Sequence, residues 1–248
     1  MRLCVINPNT SSAMTLKIGE QARRAAGPGT EILAVNPDMG PASIESHYDD
    51  AVAVLGVLDV IRRGEAQGCD GYVLACFGDP GLAAAREAAR GPVIGIAEAA
   101  MHAASFVATG FSVVTTLTRT CVIAEHLAEA YGMARFCRSV RGTDIPVLDL
   151  EHDDPAAYAE ILAACRRALS EDRSGAIVLG CAGMSDLALR LRTELGVPVI
   201  DGVGMAVRLV ESLVALGIAT SKQGDYADPI PKPYTGLTAG FARTARTA

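Results

Sequence analysis

Short apolar runs recur along this chain, and nearly every one is followed by an alanine-rich stretch of helical length. The runs include "LCVI" at 3–6, "GYVLA" at 71–75, "FSVVT" at 111–115 and "AIVL" at 176–179. They are too short for helices and show no inside–outside alternation, the pattern of strands covered on both faces. Strands alternating with helices build parallel βαβ units, so the expected fold class is α/β with mainly parallel sheets flanked by helices. Composition agrees. Trp is absent and aromatics make up 4% of the chain, so the interior must be assembled from Ala, Val, Leu and Ile.

Strands are expected at 3–6, 31–35, 71–75, 92–96, 111–115, within 139–148, at 176–179 and at 198–200. Helices are expected from about residue 13, at 51–67, 82–89 and 98–108, up to 131, and at 156–171, 186–195 and 205–216. The second half reads as a loose copy of the first. Cys76 and Cys181 are 105 residues apart, Pro92 and Pro198 are 106 apart, and Val5 and Val113 are 108 apart. A nearly constant offset at three landmarks implies two pseudo-symmetric lobes, residues 1–108 and 109–216. A turn-rich segment, 217–248, follows and ends in a frayed "FARTARTA".

Several function classes are disfavoured. The formal charge is −6, and Lys and Arg occur as scattered pairs such as Arg23-Arg24 and Arg166-Arg167 rather than as one basic patch, which argues against nucleic acid. No apolar run reaches membrane-spanning length and "MRLCVINPN" is not a secretion signal, so a soluble cytoplasmic protein is expected, with no membrane partner. The seven cysteines are widely spaced with no C-x-x-C pair, and His47, His102, His126 and His152 form no ligand pattern. Neither a metal site nor a disulfide framework is expected.

Two of the cysteines stand apart. In "VLACFGDPGL" and "IVLGCAGMSDL" a buried strand ends in a small residue, then Cys, then a glycine-containing turn into a helix. Ligands of open parallel sheets bind beyond the carboxyl ends of the strands, so two facing lobes would bring Cys76 and Cys181 to opposite sides of one ligand. A thiol ionises near pH ~8.5, and amides at a following helix start favour the thiolate. One thiolate base and one thiol acid on opposite faces of a carbon can invert it without a cofactor, provided a neighbouring carbonyl makes the proton acidic. The bland alternative is two small residues filling tight strand ends. Cys4, Cys69, Cys121, Cys137 and Cys165 fall outside the duplicated positions and read as structural.

The motifs "INPNTS", "GPASIE", "ACFGDPG", "GIAEAA", "SVVTTLTRT", "GCAGM", "PVIDGV" and "PKPYTG", in this order, resemble the hydantoin racemases of the aspartate/glutamate racemase superfamily. The resemblance spans about residues 1–236. It implies two α/β lobes with the site between them, the segment from 217 onward returning to the first lobe, and a homo-oligomer. It also implies catalytic roles for Cys76 and Cys181, no cofactor, and inversion at C5 of a 5-monosubstituted hydantoin. Related members act on allantoin, so an allantoin racemase is the near alternative, and a non-catalytic small-molecule binder the distant one. Amino-acid racemases of the superfamily carry Cys-Asn-Thr at the first thiol and a His soon after the second. Here Cys76 precedes Phe77-Gly78-Asp79 and Cys181 precedes Ala182-Gly183-Met184, so groups suited to an α-carboxylate and ammonium are missing.

Further substrate contacts are expected from residues beside these motifs. Asn9 follows the first strand, where it also suits a helix cap. Thr116 and Thr118 occupy the equivalent loop of the second half. The amides of Gly78 and Gly183 could hold ring carbonyls. Asp79 could accept a ring N–H, or cap a helix with Pro80 at its first position. Met39 and Ile44 flank "GPAS" in a loop able to cover the C5 substituent. Glu98 and Asp201, after the last strand of each half, read as helix caps.

Overall fold

In a computed structural model of the chain, which describes residues 1–242, two parallel four-stranded sheets lie side by side. The residues of "FARTARTA" from 243 onward lie outside the described ones. The first half contains β1 (Arg2–Ile6), α1 (Ser12–Ala25), β2 (Glu31–Val35), α2 (His47–Ala66), β3 (Gly71–Leu74), α3 (Leu82–Ala88), β4 (Val93–Gly95) and α4 (Ile96–Val107). The second contains β5 (Phe111–Thr115), α5 (Cys121–Ala130), β6 (Cys137–Gly142), α6 (Pro155–Glu171), β7 (Ala176–Leu179), α7 (Ala188–Leu195), β8 (Val199–Ile200) and α8 (Gly202–Ala215).

The strand orders are β2-β1-β3-β4 and β6-β5-β7-β8, the same topology twice. Register makes the repeat quantitative. Ile6 pairs with Leu74 as Val114 pairs with Leu179, and Tyr72 pairs with Val93 as Ile177 pairs with Val199. Equivalent strands are therefore offset by 108, 105 and 106 residues, matching the spacing of the sequence landmarks. The central strands β3 and β7 are buried along their whole length. Each fully buried Val, Leu or Ile there is worth about 1.5–3 kcal/mol in removed apolar surface.

Each half lends its last helix to the other half's sheet. Helix α8 packs on α1, β3 and β4, while α4 packs on β7, β8 and α5, and the two helices also pack on each other. Close approach sets the composition. A Cβ on Gly71 would stand 2.5 Å from Val210 Cγ1, and one on Gly202 would stand 2.6 Å from the Ile96 carbonyl oxygen. The buried face of α4 is correspondingly small, with Ala97, Ala99, Ala100, Ala103 and Ala104 beside Ile96 and Met101. One hydrophobic core consequently runs through both halves. After α8 the chain runs back along α3: Thr220 bonds to Arg90 and Gly91, and the Lys222 ammonium donates to the carbonyls of Arg86 and Glu87. Among the described residues no helix is long and apolar enough to cross a membrane.

Some boundaries differ from the sequence reading. Helix α2 begins at His47, because Ser46 caps it by accepting from the Asp49 amide, and Asp49 in turn accepts from the Ser46 hydroxyl and the Glu45 amide. Helix α3 is capped by Gly81 in the left-handed region at φ 69°, so Pro80 is not its first residue. Asp201 caps α8 through the amides of Val203 and Gly204, whereas Glu98 is no cap and pairs with Arg86 at 2.5 Å.

Candidate active site

Strands β1, β3, β5 and β7 all end at one cavity of about 70 Å3 between the halves. Cys76 and Cys181 both line it. Each follows a central strand by two residues, at positions made equivalent by the register, and the preceding residues are tied alike. The Ala75 amide donates to the Ile6 carbonyl (2.8 Å) and the Gly180 amide to the Val114 carbonyl (2.7 Å). At Gly180 there is no room for a side chain: a Cβ would stand 2.6 Å from Thr115 Cβ.

The thiols share a design but not an environment. Each accepts from the backbone amide two residues on, Gly78 for Cys76 and Gly183 for Cys181. Burial pushes both pKa values up, and these amides pull against it. Cys76 is raised further by the negative groups near it, Asp50, Cys181 and Asp79. Burial and the Glu45 charge push Cys181 up to about 11, with the Gly183 amide, the Lys17 ammonium and the Met184 amide pulling against them. Lys17 is held in place by the Leu150 carbonyl (2.6 Å) and Asp186 (3.2 Å). Cys181 is thus the more easily ionised of the two thiols.

Asn9 lines the cavity with its orientation set from behind. Its carboxamide oxygen accepts from Asn7 Nδ2 (2.7 Å) and from the Ser11 amide (2.9 Å). The Asn9 NH2 is left as a donor facing the cavity. Asn7 itself is held by Thr15 Oγ1 and the Ser11 carbonyl, so the turn after β1 is cross-braced. Gly78, Thr116, Gly183 and Ile44 also line the cavity.

Three residues expected at the site lie elsewhere. Asp79 is buried but outside the cavity lining, and adopts a left-handed φ of 45° that turns its carboxylate toward α4. It accepts from the amides of Ala97 (3.2 Å) and Glu98 (3.0 Å) and from the Tyr131 hydroxyl (2.7 Å). The reason lies at Gly95, the N-cap of α4, which has no capping side chain. A Cβ there would meet Asp79 Cγ at 2.2 Å. In the second half Asp201 fills the cap position with its own side chain, whereas in the first half Asp79 reaches across from another loop. Its capping role thus falls on α4 rather than on the helix that follows it. Thr118 is exposed, its amide bonded to Asp144 and its backbone pressed against Gly142, and Thr120 lines the cavity instead. Met39 is 47% exposed and outside the lining, with its carbonyl against Gly56.

The largest omission of the sequence reading is Asp50. It lines the cavity from the first turn of α2, and burial raises its pKa against the opposing charge of His47. The signal was present: Ser46 and Asp49 have the spacing of a capping box, which starts the helix at residue 47 and puts Asp50 in its first turn. Phe77, Ile123 and Val147 add apolar walls, and the Val147 amide donates to Glu45 Oε1 (2.9 Å), tying the two halves across the cavity.

The chain is similar to known racemases in sequence and in fold. The family model described as Asp/Glu/Hydantoin racemase matches residues 3–210. A hydantoin racemase of Pseudomonas sp. (strain NS671) is 47% identical over 247 residues, covering 100% of this chain and 99% of its own. A hydantoin racemase of Rhizobium meliloti is 50% identical over 236 residues, covering 95% and 98%. The solved structure of the allantoin racemase from Klebsiella pneumoniae superposes with a TM-score of 0.96 at 59% identity, covering 98% of this chain and 100% of that one.

Proposed function

This chain belongs to the Asp/Glu/Hydantoin racemase family, and on that premise we propose that it inverts C5 of a 5-monosubstituted hydantoin by passing protons between Cys76 and Cys181. The observation that carries the reading is the pair of thiols at register-equivalent strand ends lining one small cavity. A thiolate on one face takes the C5 proton and the thiol on the other face delivers one. The sulfur charges exchange and no cofactor is needed for the balance. Cys181, with Lys17 and two amides offsetting part of its burial, is the more readily ionised thiol and so the first base. The negative charge that develops on the C4 oxygen is met by the free NH2 of Asn9, a donor fixed before substrate arrives. Gly78 and Gly183 supply the amides that hold the thiolates, and Thr116 and Ile44 shape the space for the ring and its substituent.

The reading extends to a small-molecule substrate and a homo-oligomer, without nucleic acid or membrane. The closeness of the allantoin racemase supports a second substrate reading, in which the C5 substituent is a ureido group and the chemistry is unchanged. The test is inversion of enantiopure 5-methyl-, 5-benzyl- and 5-ureidohydantoin followed by polarimetry, with C5 deuterium uptake in heavy water. Cys76→Ser and Cys181→Ser should each abolish inversion, while one-sided C5 exchange can survive in a single variant. Near-normal inversion by either variant would refute the two-thiol mechanism. Binding without exchange in the unmodified protein would make it a binder.

A further inference from the structure

Among the described residues lining the cavity, Asp50 is the one with a fully buried side-chain oxygen left unpaired. Its Oδ1 is fully buried and has no partner among the described residues, the neighbouring Cys76 thiol included. Asp186 Oδ1 shares that state, but Asp186 has Lys17 on its other oxygen and is outside the cavity lining. A buried acceptor left empty costs about 1–3 kcal/mol, more when charged, so such a group is kept where something else completes it. The surroundings are shaped to let the oxygen in. Gly78 faces it, and a Cβ on that residue would stand 2.9 Å from Oδ1. Of the donors at the cavity, the amides of Gly78 and Gly183 are taken by the two thiols, whereas the Asn9 NH2 is open. Asp50 Oδ1 is thus a buried acceptor left open at the cavity, where the Asn7 Oδ1 and the Gly180 carbonyl are already engaged.

We propose that Asp50 Oδ1 is a substrate-positioning acceptor that takes an N–H of the bound hydantoin. The proposal rests on the reading of the cavity as a hydantoin site. A hydantoin carries two carbonyl acceptors and two ring N–H donors, so it needs an acceptor to balance the donors, and a ureido substituent adds further N–H groups. The ring and the substituent offer the same chemistry to Asp50, and two substrates separate them.

The experiment compares the unmodified protein with Asp50→Leu and Asp50→Asn, using 5-methylhydantoin and allantoin. Binding is read by calorimetry and inversion by polarimetry. Losing a hydrogen bond to a charged acceptor predicts that Asp50→Leu weakens binding and lowers kcat/KM by roughly 10- to 100-fold. Asp50→Asn keeps one acceptor oxygen and should fall between. A loss confined to allantoin assigns the acceptor to the substituent; an equal loss on both assigns it to a ring N–H. Affinity and kcat/KM within threefold of the unmodified protein on both substrates, in a variant with unchanged thermal midpoint, would overturn the proposal. So would a lowered midpoint with unchanged affinity, the signature of a purely structural role. An unmodified protein that binds but never exchanges C5 hydrogen would sink the racemase reading while leaving the Asp50 contact standing. One that binds neither compound would sink both.

Discussion

Replacing Asp79 by asparagine gives a sharp test of the position assigned to that carboxyl. Burial pushes its pKa up to about 7, despite the Tyr131 hydroxyl and the Glu98 and Ala97 amides that favour the charged form. In the unfolded chain it titrates near the ordinary value of 3.8. The folded state therefore binds this proton more tightly, and the native protein loses stability as pH rises from about 4 through 7. Integrating between pH 5 and pH 8 gives a loss of about 2.5 kcal/mol attributable to this one group. The carboxamide of the Asp79→Asn variant cannot titrate, so that variant avoids the loss. It does give up one accepting oxygen, at a pH-independent cost of about 1–3 kcal/mol. Measured by urea unfolding, Asp79→Asn should be less stable than the unmodified protein at pH 5, with the deficit shrinking by about 2.5 kcal/mol, or reversing, at pH 8. A difference that stays constant within about 0.5 kcal/mol, or widens at pH 8, would refute the reasoning. The same variant separates a cap from a substrate contact. With its carboxylate on α4 and outside the cavity lining, Asp79→Asn should leave KM for 5-methylhydantoin unchanged.

Asn9→Asp keeps the oxygen that accepts from Asn7 and Ser11 but removes the NH2 facing the cavity. It should lower kcat by about 10²- to 10³-fold, the usual effect of deleting one oxyanion donor, with a thermal midpoint close to that of the unmodified protein. Lys17 lowers the pKa of Cys181, so Lys17→Met should leave less thiolate at any given pH and move the rising limb of the pH–rate profile upward. Lys17→Arg should restore it, and a profile unmoved by Lys17→Met would show that Cys181 does not carry the rate-controlling ionisation.

Chain position is a poor guide to both Asp79 and Asp50. Asp79 sits three residues from Cys76 in sequence, yet its φ of 45° turns it to α4, where Gly95 lacks a capping side chain. Asp50 is far from both thiols in sequence and sits beside Cys76, because α2 starts earlier than its apolar pattern suggests. Thr118 and Thr120 differ in the same way: the tight turn after β5 presents the second of them to the cavity. Gly78, Gly183 and Asn9 were legible because they belong to turns directly after strand ends, where proximity follows from the strand itself.

The alternation of strands and helices, their doubling along the chain and the equivalent placing of Cys76 and Cys181 just after two of those strands are properties of the sequence by itself. They depend on local apolar pattern and on repetition at a fixed spacing, both preserved along the chain. Only the tertiary structure decided that α4 and α8 trade sheets, that Lys17 and Asp50 make the two thiols unequal, and which loop side chains line the cavity. An alanine-rich helix face packs closely without specifying its partner, so the exchange is settled when the sheets meet. A buried charge, likewise, takes its value from every segment folded around it, and those segments become neighbours only after the chain has folded.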